Sequence, residues 1–160
     1  MRLYHGSDVL VTQPNLAKGR NFKDFGKGFY LSAVRKQAQE MAEQKALQTL
    51  GATPIVSTFE FDEKAMTDGS LKVKRFETYT EEWAEFVLKN RNKDLPQPIH
   101  NYDIVYGPIA DDSVVRQMRR FELGYITLQE LMMELKYPPG ITYQYFFGTE
   151  NALTKLTFIC

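Results

Sequence analysis

Phe25-Gly26-Lys27-Gly28-Phe29-Tyr30-Leu31-Ser32 is the stretch on which the fold turns. Two glycines flank a lysine, so the backbone here can approach another chain or a ligand closely. Phe29 and Tyr30 favour extended chain, which predicts a strand over 28–31 after a turn at 23–27. Ser32 can cap a helix running to about residue 50, with Val34, Ala38, Met41 and Ala42 on one face and Gly51 ending it. Taken alone, Tyr30 suits an ordinary core position. Two phosphate motifs are excluded. A P-loop ending at Gly26-Lys27 would need glycine where Asn21 stands and Ser or Thr where Gly28 stands. A dinucleotide fingerprint built on Gly26 and Gly28 would need a third glycine at Leu31.

Upstream, a short strand is predicted over 2–5, then a loop or small helix over 9–20. Downstream, β-favouring side chains predict strands over 54–62 and 72–76. A helix over 80–90 carries an apolar stripe of Trp83, Phe86 and Val87. The strand over 102–106 is expected to stop at Gly107-Pro108. Helices follow over 113–121 and 127–136, the second opened by a capping box at Thr127-Leu128-Gln129-Glu130. After a turn at Pro138-Pro139-Gly140 come a strand over 142–147, a short helix over 150–156 and a strand over 157–159. Strands and helices intermix without regular alternation, so the expected class is α+β in a single domain over 1–160.

Twenty basic residues balance twenty acidic ones, which argues against a general nucleic-acid coat or a polybasic membrane binder. The balance is uneven along the chain. Residues 1–49 hold Arg2, Lys18, Arg20, Lys23, Lys27, Arg35, Lys36 and Lys45 against Asp8, Asp24, Glu40 and Glu43, an excess of four positive charges. A small anionic ligand would be drawn to that end, although on charge alone scattered solvated charge is the simpler explanation of the excess. Cys160 is the one cysteine, so an intramolecular disulfide and a cysteine zinc site are both excluded. His5 and His100 are the only histidines and form no metal-ligand spacing, and Asp111-Asp112 reads as helix-start acid, so no metal is expected. No stretch approaches the ~20 apolar residues of a membrane span and no signal sequence opens the chain, which makes the cytoplasm the expected compartment.

His5 stands in His5-Gly6-Ser7, and taken alone it reads as a hydrogen-bonded structural histidine. Together, His5-Gly6-Ser7 and Phe25-Gly26-Lys27-Gly28-Phe29-Tyr30 resemble the nicotinamide-binding half of the ADP-ribosyltransferase fold. The likeness is to its His-Tyr-Glu branch, which includes diphtheria-type toxins and poly(ADP-ribose) polymerases. The run from Tyr102 to Asp112 is similar to a signature of small uncharacterised bacterial proteins in that superfamily. The resemblance implies a split sheet core of mixed and antiparallel strands with flanking helices. It also implies an enzyme that takes NAD as substrate and either moves one ADP-ribose to a macromolecular or small-molecule acceptor, as a toxin or effector would, or hydrolyses NAD weakly.

The resemblance assigns roles residue by residue. Gly6 would grip the nicotinamide carboxamide through its backbone, beside Ser7, and His5 would bond a ribose hydroxyl. Tyr30 would stack on the pyridinium ring, whose positive charge favours an aromatic face. Gly28 would permit close approach and Ser32 would bond the carboxamide. Met41 stands where the family's second stacking aromatic lies. From charge alone, Arg20 and Lys23 are the expected neighbours of the diphosphate. The catalytic glutamate of the family opens a late strand, and here Gln144 in Tyr143-Gln144-Tyr145-Phe146-Phe147 holds that place. Gln144 keeps an acceptor oxygen and loses the charge. Such a loss costs about 10²–10³ in rate, so binding is expected to outlast chemistry. An inactive NAD- or ADP-ribose-binding module, or an interaction protein on the same fold, is the alternative expectation.

Overall fold

The computed structural model describes residues 1–136 and 140–160, so the expected turn at Pro138-Pro139 lies outside the described residues. In chain order its elements are β1 (Arg2–Ser7), β2 (Phe29–Leu31), α1 (Arg35–Leu47), β3 (Ile55–Phe61), β4 (Val73–Arg75), α2 (Glu81–Arg91), β5 (Ile104–Pro108), α3 (Asp112–Glu122), α4 (Leu128–Glu134), β6 (Tyr143–Phe147), α5 (Glu150–Leu153) and β7 (Leu156–Phe158). Single 3-10 turns occur at Leu16–Lys18 and Glu63–Met66. The class is α+β: two sheets, antiparallel except for the β4–β5 pair, and five α-helices among the described residues.

One sheet runs β1-β3-β7 and the other β2-β6-β5-β4. Alternation along each strand sends its side chains to two faces. Leu3, Phe59 and Phe61 from the first sheet meet Phe29, Leu31, Ile104 and Phe147 from the second in one buried cluster. On the other face of the second sheet, Val105 and Phe146 pack with Phe25 and with Trp83, Val87, Val114, Met118 and Leu131 of the helices. The two sheets touch edge to edge at a single bridge, where Tyr4 and Ser32 exchange N–H···O bonds of 2.8 and 2.9 Å.

Helix ends follow the chemistry of their caps. Thr80, Asp111, Thr127 and Thr149 each accept a hydrogen bond from a backbone N–H three residues on, and Thr127 with Glu130 completes the expected capping box. Several expected boundaries are corrected. Ser32 does not cap α1. Val34 holds that position, and the Ser32 hydroxyl instead accepts from Val34 N–H and donates to Gln37. The helix ends at Leu47, before Gly51, and Ala38 and Ala42 form its buried stripe while Val34 and Met41 stay exposed. Those two alanines are small enough for α1 to lie directly on β1. β5 runs through Gly107 and ends at Pro108, opposite Tyr143, so Gly107-Pro108 forms the end of the strand and does not lie beyond it. β1 is two residues longer than expected, since Gly6 and Ser7 continue the ladder against Val56 and Ile55. The expected helix over 150–156 is one turn, and its last residue Leu156 already belongs to β7.

Candidate functional site

The site begins where the two sheets separate. Two residues beyond the Tyr4–Ser32 bridge, Gly6 falls opposite Tyr30. A continued ladder would bond Gly6 to Tyr30 in both directions. Side chains have taken those places instead. His5 Nδ1 lies 2.7 Å from the Tyr30 carbonyl, and Lys45 Nζ donates to the Gly6 carbonyl at 2.9 Å. Alternation along β1 turns the Gly6 N–H away from β3 and into this seam.

A carbonyl only accepts, so His5 carries its proton on Nδ1 and leaves Nε2 as an acceptor. Burial pushes its pKa from 6.5 down to about 4, the Tyr30 carbonyl opposing and the Lys45 charge adding to the fall. The imidazole is therefore neutral at neutral pH. Its ring packs on Phe29 with centroids 4.3 Å apart, on the face of β2 opposite the Tyr30 ring. His5 and Tyr30 are thus joined through the main chain, and their rings do not face each other.

Gly6 is required by packing. A Cβ there would lie 1.9 Å from the Ala38 carbonyl oxygen. The same close approach brings Lys45, one and two turns beyond Ala42 and Ala38, onto the seam. Burial lowers the Lys45 pKa, and the charges of Lys23 and Arg20 lower it further. Exposed Arg20 and Lys23 thus act on half-buried Lys45, with the Asp8 carboxylate opposing them, and a further anion would relieve the excess.

Tyr30 stays protonated, because burial and then the Asp24 charge raise its pKa well above the ordinary value, against the Phe25 hydrogen bond. Its hydroxyl donates to the Gly26 carbonyl at 2.6 Å and accepts from Phe25 N–H at 3.1 Å, which clamps the glycine turn against its own ring. Gly26 has φ +94°, a conformation that favours glycine. Lys23 Nζ stands 6.0 Å over the Tyr30 ring, a cation already on that aromatic face. Tyr30 pairs with Phe146, and Gln144 lies two residues from Phe146 on β6, so all three share one face. Gly6, Tyr30 and Gln144 thus occupy one side of the molecule, across β1, β2 and β6 in turn.

Gln144 donates from Nε2 to Asp24 Oδ2 at 3.0 Å, and Asp24 also accepts from Arg91 Nη1 at 2.7 Å. The remaining expected residues take other parts. Ser7 is buried and its hydroxyl bonds Asp8. A Cβ on Gly28 would sit 2.3 Å from the Phe146 ring, so the glycine lets this turn lie close on β6. Ser32 is occupied with Val34 and Gln37, whereas Met41 is exposed on α1.

A family described as "Protein of unknown function (DUF3990)" matches residues 1–158. The chain belongs to that family. No curated protein and no solved structure matches it.

A cavity of about 480 Å³ lies across β6 from Gln144, lined by Tyr106, Tyr143 and Tyr145 and by Gln37 and Glu40 of α1. It does not include His5, Tyr30 or Gln144. Among the described residues no three His, Cys, Asp or Glu side chains are arranged to hold a metal, and no helix is long and apolar enough to cross a membrane.

Three residues at the site escaped the sequence reading. Lys45 had a signal, since it continues the helical stripe of Ala38 and Ala42, where a buried face is expected. Asp24 and Arg91 had none, being sixty-seven positions apart and brought together by the fold.

Proposed function

We propose that this protein binds NAD at the seam between β1 and β2 in the manner of the ADP-ribosyltransferases it resembles, and transfers a single ADP-ribose to an acceptor or slowly hydrolyses NAD. The observation that carries the reading is the unzipped pair Gly6–Tyr30, with His5 and Lys45 on the two carbonyls the ladder would have used. Gly6 offers an N–H to a carboxamide, and Tyr30 offers a ring face to a pyridinium. Lys23 now covers that face, and its flexible chain can swing with Arg20 toward a diphosphate. His5 Nε2, an acceptor at neutral pH, suits a ribose hydroxyl.

In the reaction, the bond between the ribose carbon and the pyridinium nitrogen breaks and its electron pair leaves with nicotinamide, which becomes neutral. The acceptor or a water uses a lone pair to form the new bond to that carbon, and that nucleophile then gives up its proton to solvent. Gln144 contributes an acceptor oxygen without negative charge, so positive charge developing on the ribose is weakly stabilised. That feature favours a second reading, an NAD- or ADP-ribose-binding module without turnover.

Incubation with NAD labelled in the adenosine half, with and without host lysate, separates the two. Released nicotinamide or label on an acceptor supports the enzyme. Saturable binding without either supports the module, and absence of binding sinks both.

A further inference from the structure

Asp24 is a buried carboxylate, 9% exposed, in the turn before Phe25. It accepts three hydrogen bonds from three separate elements. Arg91 at the end of α2 donates at 2.7 Å, the Ala110 N–H beyond β5 at 3.0 Å, and Gln144 Nε2 on β6 at 3.0 Å. A carboxylate only accepts, so the end of the Gln144 amide that meets it must be the NH₂ group. The carbonyl oxygen of Gln144 is thereby turned the other way. Arg91 neutralises Asp24 from the other carboxylate oxygen, Oδ1, so Asp24 contributes orientation and little net field.

We propose that Asp24 is a positioning residue, which locks the Gln144 amide with its oxygen presented to a hydroxyl of the bound ligand. The proposal rests on the NAD reading, the hydroxyl being one on the ribose that carries nicotinamide. Position 144 is then a fixed hydrogen-bond acceptor, and its partner residue is as necessary to it as the amide itself.

One consequence separates this arrangement from an ordinary strand glutamine. Gln144→Glu alone sets two carboxylates about 3 Å apart, where they cannot both ionise. Exchanging the groups, as Asp24→Asn with Gln144→Glu, restores a donor facing an acceptor across the same contact. The exchange gives up the Ala110 N–H bond but frees a carboxylate oxygen toward the ligand.

The test measures NAD affinity by calorimetry and thermal midpoints at pH 7 and pH 5 for wild type, both single variants and the exchanged pair, at a temperature where all are folded. Asp24→Asn should weaken NAD by about tenfold, the worth of one misdirected hydrogen bond. Gln144→Glu should lower the midpoint at pH 7 more than at pH 5, where the two carboxylates share a proton. The exchanged pair should regain most of the midpoint lost in Gln144→Glu and bind NAD within about threefold of wild type. NAD binding unchanged by Asp24→Asn would overturn the positioning role while leaving the NAD reading intact. So would strictly additive midpoints in the pair. A wild type that binds no NAD overturns that reading and this proposal together.

Discussion

The seam at Gly6 and the hub at Asp24 adjoin through the Lys23-Asp24 turn, and they treat polar groups in opposite ways. At the seam a ladder pair has been broken, and Lys45 sits among the charges of Lys23 and Arg20, opposed in part by the Asp8 carboxylate. At the hub one carboxylate takes a guanidinium, a backbone N–H and an amide, so charge and hydrogen bonds are closed within the protein. The difference teaches where ligand affinity and where geometry reside. An open, positively charged edge gains by taking up an anion. A carboxylate whose bonds are closed within the protein takes no ligand itself, but it can hold a neighbouring side chain in place for one.

The comparison is broken most severely at Gly6. Gly6→Ala drives a methyl group into the Ala38 carbonyl 1.9 Å away, so β1 and α1 must part. Denaturant unfolding should show a loss of about 3 kcal/mol, at the upper end of overpacking costs. An unchanged midpoint would mean that α1 does not rest on the seam.

Acid should weaken the seam next. An unfolded imidazole takes up a proton near 6.5, but folded His5 resists protonation until about 4. Between those values the unfolded state binds more protons, so the contribution is complete above 6.5 and lost as the pH falls toward 4. The loss attributable to His5 should reach up to about 3 kcal/mol. It is read as the difference between wild type and His5→Gln in unfolding curves across that range. Parallel curves would place His5 in solvent.

Tyr30→Phe removes the hydroxyl that clamps Gly26 and Phe25 and leaves both backbone groups without it. Stability should fall by about 1–2 kcal/mol, with slower effects on the hub than on the turn visible in amide hydrogen exchange. Lys45→Gln sharpens the contrast with the smallest structural effect. Stability should move by less than about 1 kcal/mol, whereas NAD should bind roughly tenfold more weakly and with a shallower salt dependence. Equal affinity in both proteins would deny the seam its role as an anion site.

Much of this was legible in the chain. The capping box at Thr127 and Glu130, the aromatic alternation at β6 and the glycine turn before Tyr30 are local signals, and each element formed close to where its residues required. The resemblance put Gly6 and Tyr30 at one ligand but said nothing of the broken ladder between them, because such a lapse leaves no mark in either strand. Ser32 misled for a physical reason: its hydroxyl bonds a backbone N–H two residues on, as a cap would, while its own backbone is committed to Tyr4. Met41 misled because helical spacing identifies a face without saying which part of it is covered. Asp24 was invisible, since a single acid before an aromatic carries no sign of partners brought to it by β6 and α2.

A crystal structure with NAD bound tests the central claim most directly. The account predicts the carboxamide of nicotinamide on the Gly6 N–H, the pyridinium over Tyr30 and Lys23 displaced from that ring. A dinucleotide lodged in the tyrosine-lined cavity across β6, with Lys23 still over Tyr30, would contradict it.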